Sequence, residues 1–104
     1  MSDASAGRPL FIPLCAKWFE AFERGDKTEE FRPWGPRWNI GTCMPGRRVT
    51  LSCGYGKSRR LHGVIAGFRV VGPDVDPAIS EVYPGLEQVA AIRITLDERA
   101  KEAG

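Results

Sequence analysis

The chain has 104 residues, 42% of them hydrophobic, and a formal net charge of +2, enough for one modest core and no room for a second. No apolar run approaches the roughly 18 residues that a membrane-spanning helix needs. The opening Met1-Ser2-Asp3-Ala4-Ser5-Ala6-Gly7 lacks the basic-then-apolar order of a secretion signal, so a cytoplasmic protein without a membrane partner is expected.

The first seven or eight residues are small and polar, and 98–104 are charged without an apolar face. A single domain is therefore expected over 9–97, between a disordered tail at 1–8 and a charged tail at 98–104. Leu10 to Leu14 reads as a first strand, which Pro13 confines to an edge or an early bulge. Lys17 to Arg24 puts Trp18, Ala21 and Phe22 on one helical stripe with Phe19 beside them, an aromatic face read as core. Gly25 follows, suited to a left-handed helix end.

Thr28 to Arg32 then reads as a strand. Alternation places Glu30 and Arg32 on one face and Phe31 on the other, with Lys27 at the mouth. A carboxylate and a guanidinium so placed either hold each other or jointly grip a polar ligand; from spacing alone, a solvated strand edge is the plainer reading. Pro33-Trp34-Gly35-Pro36-Arg37-Trp38-Asn39 is a rigid loop, in which Trp34 is expected to pack and Trp38 to face a ligand. Val49 to Cys53 alternates as a strand, with Val49, Leu51 and Cys53 inward. Leu61 to Val71 reads as a long strand whose Gly63 and Gly67 share a face. The connection between them holds Tyr55, Lys57 and Arg59 at a hairpin tip, either a phosphate-and-base contact or an ordinary solvated turn. Its Gly56-Lys57-Ser58 is not a phosphate-binding loop, because Leu51 stands where the pattern needs glycine and a strand follows instead of a helix. Asp76 and Pro77 begin a short helix to Tyr83, ended by Pro84-Gly85. Gln88 to Leu96 is the last strand.

Three cysteines, with no C-x-x-C pair, and one histidine exclude a disulfide framework and a zinc site. Cys15 and Cys53 are read as reduced core residues, His62 as structural, and no metal or cofactor is expected. Charge is uneven: eight of the 15 basic residues lie between Arg32 and Pro73, whereas all 13 acidic residues lie outside that stretch. One basic face and an anionic partner follow, unless folding interleaves the acidic flanks with the middle and cancels it.

Gly25-x-Lys27-x-x-Glu30-x-Arg32, between a helix and a strand, resembles the G-x-K-x-x-E-x-R signature of the ASCH domain family, related to the PUA RNA-binding fold. The resemblance implies an α+β class, a small PUA-like mixed β-barrel of about five to six strands with two to three short helices, and a ligand cleft between helix and barrel. It implies RNA or a modified nucleotide as partner. On that reading Lys27, Arg32, Lys57 and Arg59 meet phosphate or carbonyl groups, Glu30 orients Arg32 or accepts from a base, and Trp38 and Tyr55 stack. The alternative is a small hydrolase on the same pocket, an amidohydrolase of acylated cytidine or a ribonuclease, with Lys27 and Glu30 catalytic. The amidohydrolase relatives carry threonine where this chain has Glu30, and Thr28 stands at a different place in the motif, which puts a threonine nucleophile in doubt.

Overall fold

The computed structural model describes residues 8–97; the readings of 1–7 and 98–104 fall outside them. Five strands, β1 (Leu10–Leu14), β2 (Glu29–Pro33), β3 (Arg48–Cys53), β4 (Arg60–Val71) and β5 (Val89–Leu96), form one sheet in the order β1-β3-β4-β5-β2. The helices are α1 (Ala16–Arg24) and α2 (Pro77–Val82), with a 3-10 turn at Pro73–Val75. β1 runs parallel to β3, and the other pairings are antiparallel.

The sheet curls into a half-barrel and does not close as expected. Its two edges are β1 and β2, and each carries a proline, Pro13 and Pro33. Proline has no N–H to give a ladder and is confined to such positions. A side chain bridges the edges instead: Nη2 of Arg32 on β2 donates to the carbonyl of Pro13 on β1 at 2.6 Å.

Ile12, Leu14, Val49, Leu51, Leu61, Ile65, Ile92 and Ile94 line the inner face of the sheet, and α1 lays Phe19 and Phe22 against it, both 1% exposed. β4 keeps Leu61, Gly63 and Ile65 inward and then changes phase at a bulge between Ile65 and Gly67. The extra residue, Ala66, inverts the faces beyond it, so that Phe68 opposite Ile92 packs against the core while Gly67 opposite Arg93 does not. Gly63 and Gly67 thus lie on opposite faces, contrary to the expectation from their spacing. A Cβ at Gly63 would run into the carbonyl oxygen of Thr95, whereas one at Gly67 would meet only the Arg93 side chain at ordinary distance.

One further expectation, for Cys15, is corrected. Cys15 is exposed, because β1 ends at Leu14 and Cys15 is the non-helical residue that begins α1. Cys53 does pack against the core, though only partly buried; the fully buried cysteine is Cys43, whose thiol burial pushes up from its ordinary value. It sits in a loop folded around Asn39, whose side-chain oxygen accepts from the backbone of Gly41 and Thr42 while its amide donates to Gly35 and Pro36.

Candidate functional site

α1 ends as its sequence requires. Gly25 takes a left-handed φ of 87°, and the N–H groups of Asp26 and Lys27 both donate to the carbonyl of Ala21, at 2.9 and 3.1 Å. This turn reverses the chain and points Lys27 back over the helix. Its ammonium lies 4.8 Å from the Trp18 ring centroid, 5.3 Å from Phe31 and 5.7 Å from Phe22. Three aromatic faces hold the cation by their quadrupoles.

β2 then presents Glu30 and Arg32 on one face. Arg32 Nε donates to Glu30 Oε2 at 2.8 Å, and Lys27 Nζ stands 3.7 Å from Oε1. Each carboxylate oxygen thus has its own cation, and Glu30 is buried without an unsatisfied polar atom. Arg32 is fixed from three sides: Glu30, the Pro13 carbonyl, and the Trp38 ring 5.0 Å from its guanidinium carbon. Among the described residues its Nη1 and the Lys27 ammonium make no hydrogen bond within 3.5 Å, so both retain donors for a ligand.

These groups form the floor of a cleft of about 300 Å³. One wall is the end of β1, Pro13 to Cys15, with Trp18 of α1; the opposite wall is α2 and its approach, with Asp76, Ile79 and Tyr83. Trp18 is half-buried and carries a second ammonium, Lys17, at 4.7 Å. α2 begins as expected, with Asp76 accepting from the Ala78 N–H at 3.0 Å and Pro77 in the first turn.

Of the residues singled out in the sequence, Lys27, Glu30 and Arg32 converge in this cleft and the others do not. Trp38 is 8% exposed and belongs to the core; it stacks under Arg32 rather than on a ligand. Trp34, expected to pack, is 44% exposed. The two indoles exchange roles because the Asn39-centred turn folds Trp38 inward. Tyr55, Lys57 and Arg59 lie at the β3–β4 tip and do not line the cleft. Arg59 is taken up by Glu20 at 3.3 Å and Glu23 at 3.1 Å on α1, and its guanidinium lies over Phe19. Thr28 opens into a separate depression beside β5, on the far side of Lys27 from the cleft. The aromatic groups that do line the cleft are Trp18, Phe31 and Tyr83, which the sequence presents as a core stripe, the opposite face of β2 and a helix end. Trp18 had only its helical stripe as a signal, and that stripe cannot show that the strand facing it stops at Leu14.

Four of the eight basic residues of the middle segment, Arg32, Arg48, Arg59 and Arg69, pair with carboxylates. Arg48 pairs with Asp97, Arg59 with α1, and Arg69 with Glu29 at 3.0 Å. Folding interleaves the acidic flanks with the middle. No group of three or more histidine, cysteine or acidic residues able to hold a metal occurs among the described residues, and no described helix is long and apolar enough to cross a membrane.

No protein-family model matches the chain, and no curated protein is detectably similar in sequence. Among solved structures it is similar to ZmASCH from Zymomonas mobilis. The serine-to-alanine mutant of that protein superposes at a TM-score of 0.62 with 14% identity over 82% of this chain. Its tyrosine-to-phenylalanine mutant gives 0.62 with 13% identity over 88%. This chain spans 66% of the first structure's length and 76% of the second's. The fold is that of a small, ASCH-like α+β domain.

Proposed function

We propose that this ASCH-like domain binds a base of RNA or of a modified nucleotide in the cleft beside Lys27, Glu30 and Arg32. The observation that carries the reading is the floor: two cations with donors to spare, locked on one buried carboxylate, beneath a half-buried tryptophan. Donors fixed before the ligand arrives lose little freedom on binding. Trp18 supplies a stacking face, and Lys27 and Arg32 supply donors for a carbonyl or phosphate oxygen. A volume of about 300 Å³ stands at the small end for ligand pockets and suits a base or nucleoside rather than a folded RNA.

A second reading, hydrolysis in the same cleft, is favoured by the Lys27 ammonium and the Glu30 carboxylate both lining the cleft 3.7 Å apart, a proton donor and a proton acceptor by residue type that a bound substrate or water meets together. In that reading the pair serves water attack on an acylated cytidine or an RNA phosphodiester, and Thr28, outside the cleft, takes no part. One experiment separates the two. Wild type, Lys27→Ala and Glu30→Gln are incubated with short RNA and with modified nucleosides including acylated cytidines, and both retained and released species are weighed by mass spectrometry. Intact nucleotides retained by the wild type and lost in the variants support binding. A new product mass that vanishes in the variants supports hydrolysis, and neither outcome in a folded protein rejects the site.

A further inference from the structure

Outside the cleft, one cluster presents exposed aromatic side chains that the core does not take up. Tyr55 is 82% exposed at the β3–β4 tip, and its ring lies 6.3 Å from that of Phe11 on β1, itself 37% exposed. Arg60 lies over the other partner of the pair, 5.4 Å from the Phe11 centroid. The tip is well anchored: Gly54 donates to the Leu14 carbonyl at 2.8 Å, and Ser52 Oγ and Arg60 Nε both donate to the Gly56 carbonyl. Burying two aromatic rings would stabilise the domain, yet this scaffold holds them out in water.

Charge isolates the same spot. Arg48, Arg59 and Arg69 are spent on carboxylates, whereas Lys57 and Arg60, on either side of the tip, pair with no carboxylate among the described residues. Among the described residues, Arg37 and Arg47 also pair with no carboxylate, but Arg47 is held by the carbonyls of Arg8 and Thr42 and Arg37 lies by Trp38; Lys57 and Arg60 are the two that flank the exposed rings. Phe11 also shares the outward face of β1 with Pro13, which lines the cleft and receives Arg32. Two residues along a strand is about 7 Å, so Phe11 stands close beside the cleft lining.

We propose that Phe11, Tyr55, Lys57 and Arg60 form a second platform on which single-stranded RNA continues out of the cleft, so that the base recognised there belongs to a strand rather than to a free nucleotide. The neighbouring base stacks on Phe11 and Tyr55, and its phosphates meet Lys57 and Arg60. The proposal rests on the cleft reading, and its test keeps the two apart.

Affinities would be measured for the four ribonucleoside 5′-monophosphates and the four matching homopentanucleotides, against wild type, Tyr55→Ala, Arg60→Gln and Trp18→Ala. Both tip side chains are exposed, so those variants fold. The platform predicts that the best pentanucleotide binds at least tenfold more tightly than its monophosphate, and that Tyr55→Ala removes about tenfold of the pentanucleotide affinity. It also predicts that Arg60→Gln flattens the log–log salt slope by about 0.7, and that neither tip variant alters monophosphate binding. Trp18→Ala weakens both ligands. A pentanucleotide bound no better than its monophosphate, or one indifferent to Tyr55→Ala, overturns the platform and leaves the cleft reading standing. Binding of neither ligand overturns both. A DNA pentanucleotide bound as tightly as RNA overturns the assignment to RNA.

Discussion

Arg32 meets Glu30 at 2.8 Å on the cleft floor, and Arg48 meets Asp97 at 2.6 Å on the outer surface. The distances are alike, but the settings are not. On the floor the side chains are 17% and 9% exposed, share their carboxylate with Lys27, and are pressed against Trp38 and the Pro13 carbonyl. On the surface they are 47% and 36% exposed, with water as the competing partner. A short ion pair is worth what its surroundings make it worth: little where solvent screens it, much where removing one member strands a charge. The floor pair therefore organises a site, while the surface pairs cancel charge.

The largest effect should come from breaking the floor. Glu30→Ala leaves Lys27 and Arg32 facing each other without an anion, and is expected to destabilise the domain by about 3 kcal/mol, read from the urea midpoint at constant slope. A loss below about 1 kcal/mol would place the floor pair in the same class as the surface pairs. Next comes Gly25→Ala, which forces a side chain into the left-handed turn that aims Lys27. A cost of about 1 kcal/mol is expected, together with weaker nucleotide binding than the stability loss alone explains.

A smaller effect is expected at Asp97. Hydrogen bonding to Arg48 holds its carboxyl below the ordinary value of 3.8. Because the folded value is the lower one, the stabilisation is complete above the unfolded value and is lost as pH falls through the folded value. Asp97→Asn should cost less than about 1 kcal/mol near neutrality. Its stability curve should converge on the wild type in acid and approach it in high salt. Smallest of all is Arg69→Gln, which removes one exposed pair with Glu29 and should leave the unfolding midpoint within the scatter of repeat measurements.

Local signals carried much of this architecture into the sequence. Proline placed β1 at an edge, Gly25 ended α1 in the left-handed turn, Asp76 and Pro77 opened α2, and alternation marked β3. The alternation of β2 also brought Glu30 and Arg32 together, because residues two apart on a strand have no choice of face. What failed depends on residues far apart in the chain. A single bulged residue, Ala66, inverted the second half of β4. Trp34 and Trp38 are equivalent by composition, and only the folding of the Asn39 turn decides which one is buried. The pairings of Arg59 with α1 and Arg69 with Glu29 span 36 to 40 residues, so the apparent basic face could not be discounted from the sequence.

The three tryptophans make the most direct test of the site, since Trp18 lines the cleft, Trp38 lies beneath Arg32 and Trp34 stands on the surface. With the indole nitrogens labelled, a titration with the best-binding ribonucleotide should shift the Trp18 resonance along a saturable one-site curve, move Trp38 less and leave Trp34 in place. A nucleotide that binds while the Trp18 resonance stays still, or that moves Trp34 alone, would contradict the cleft.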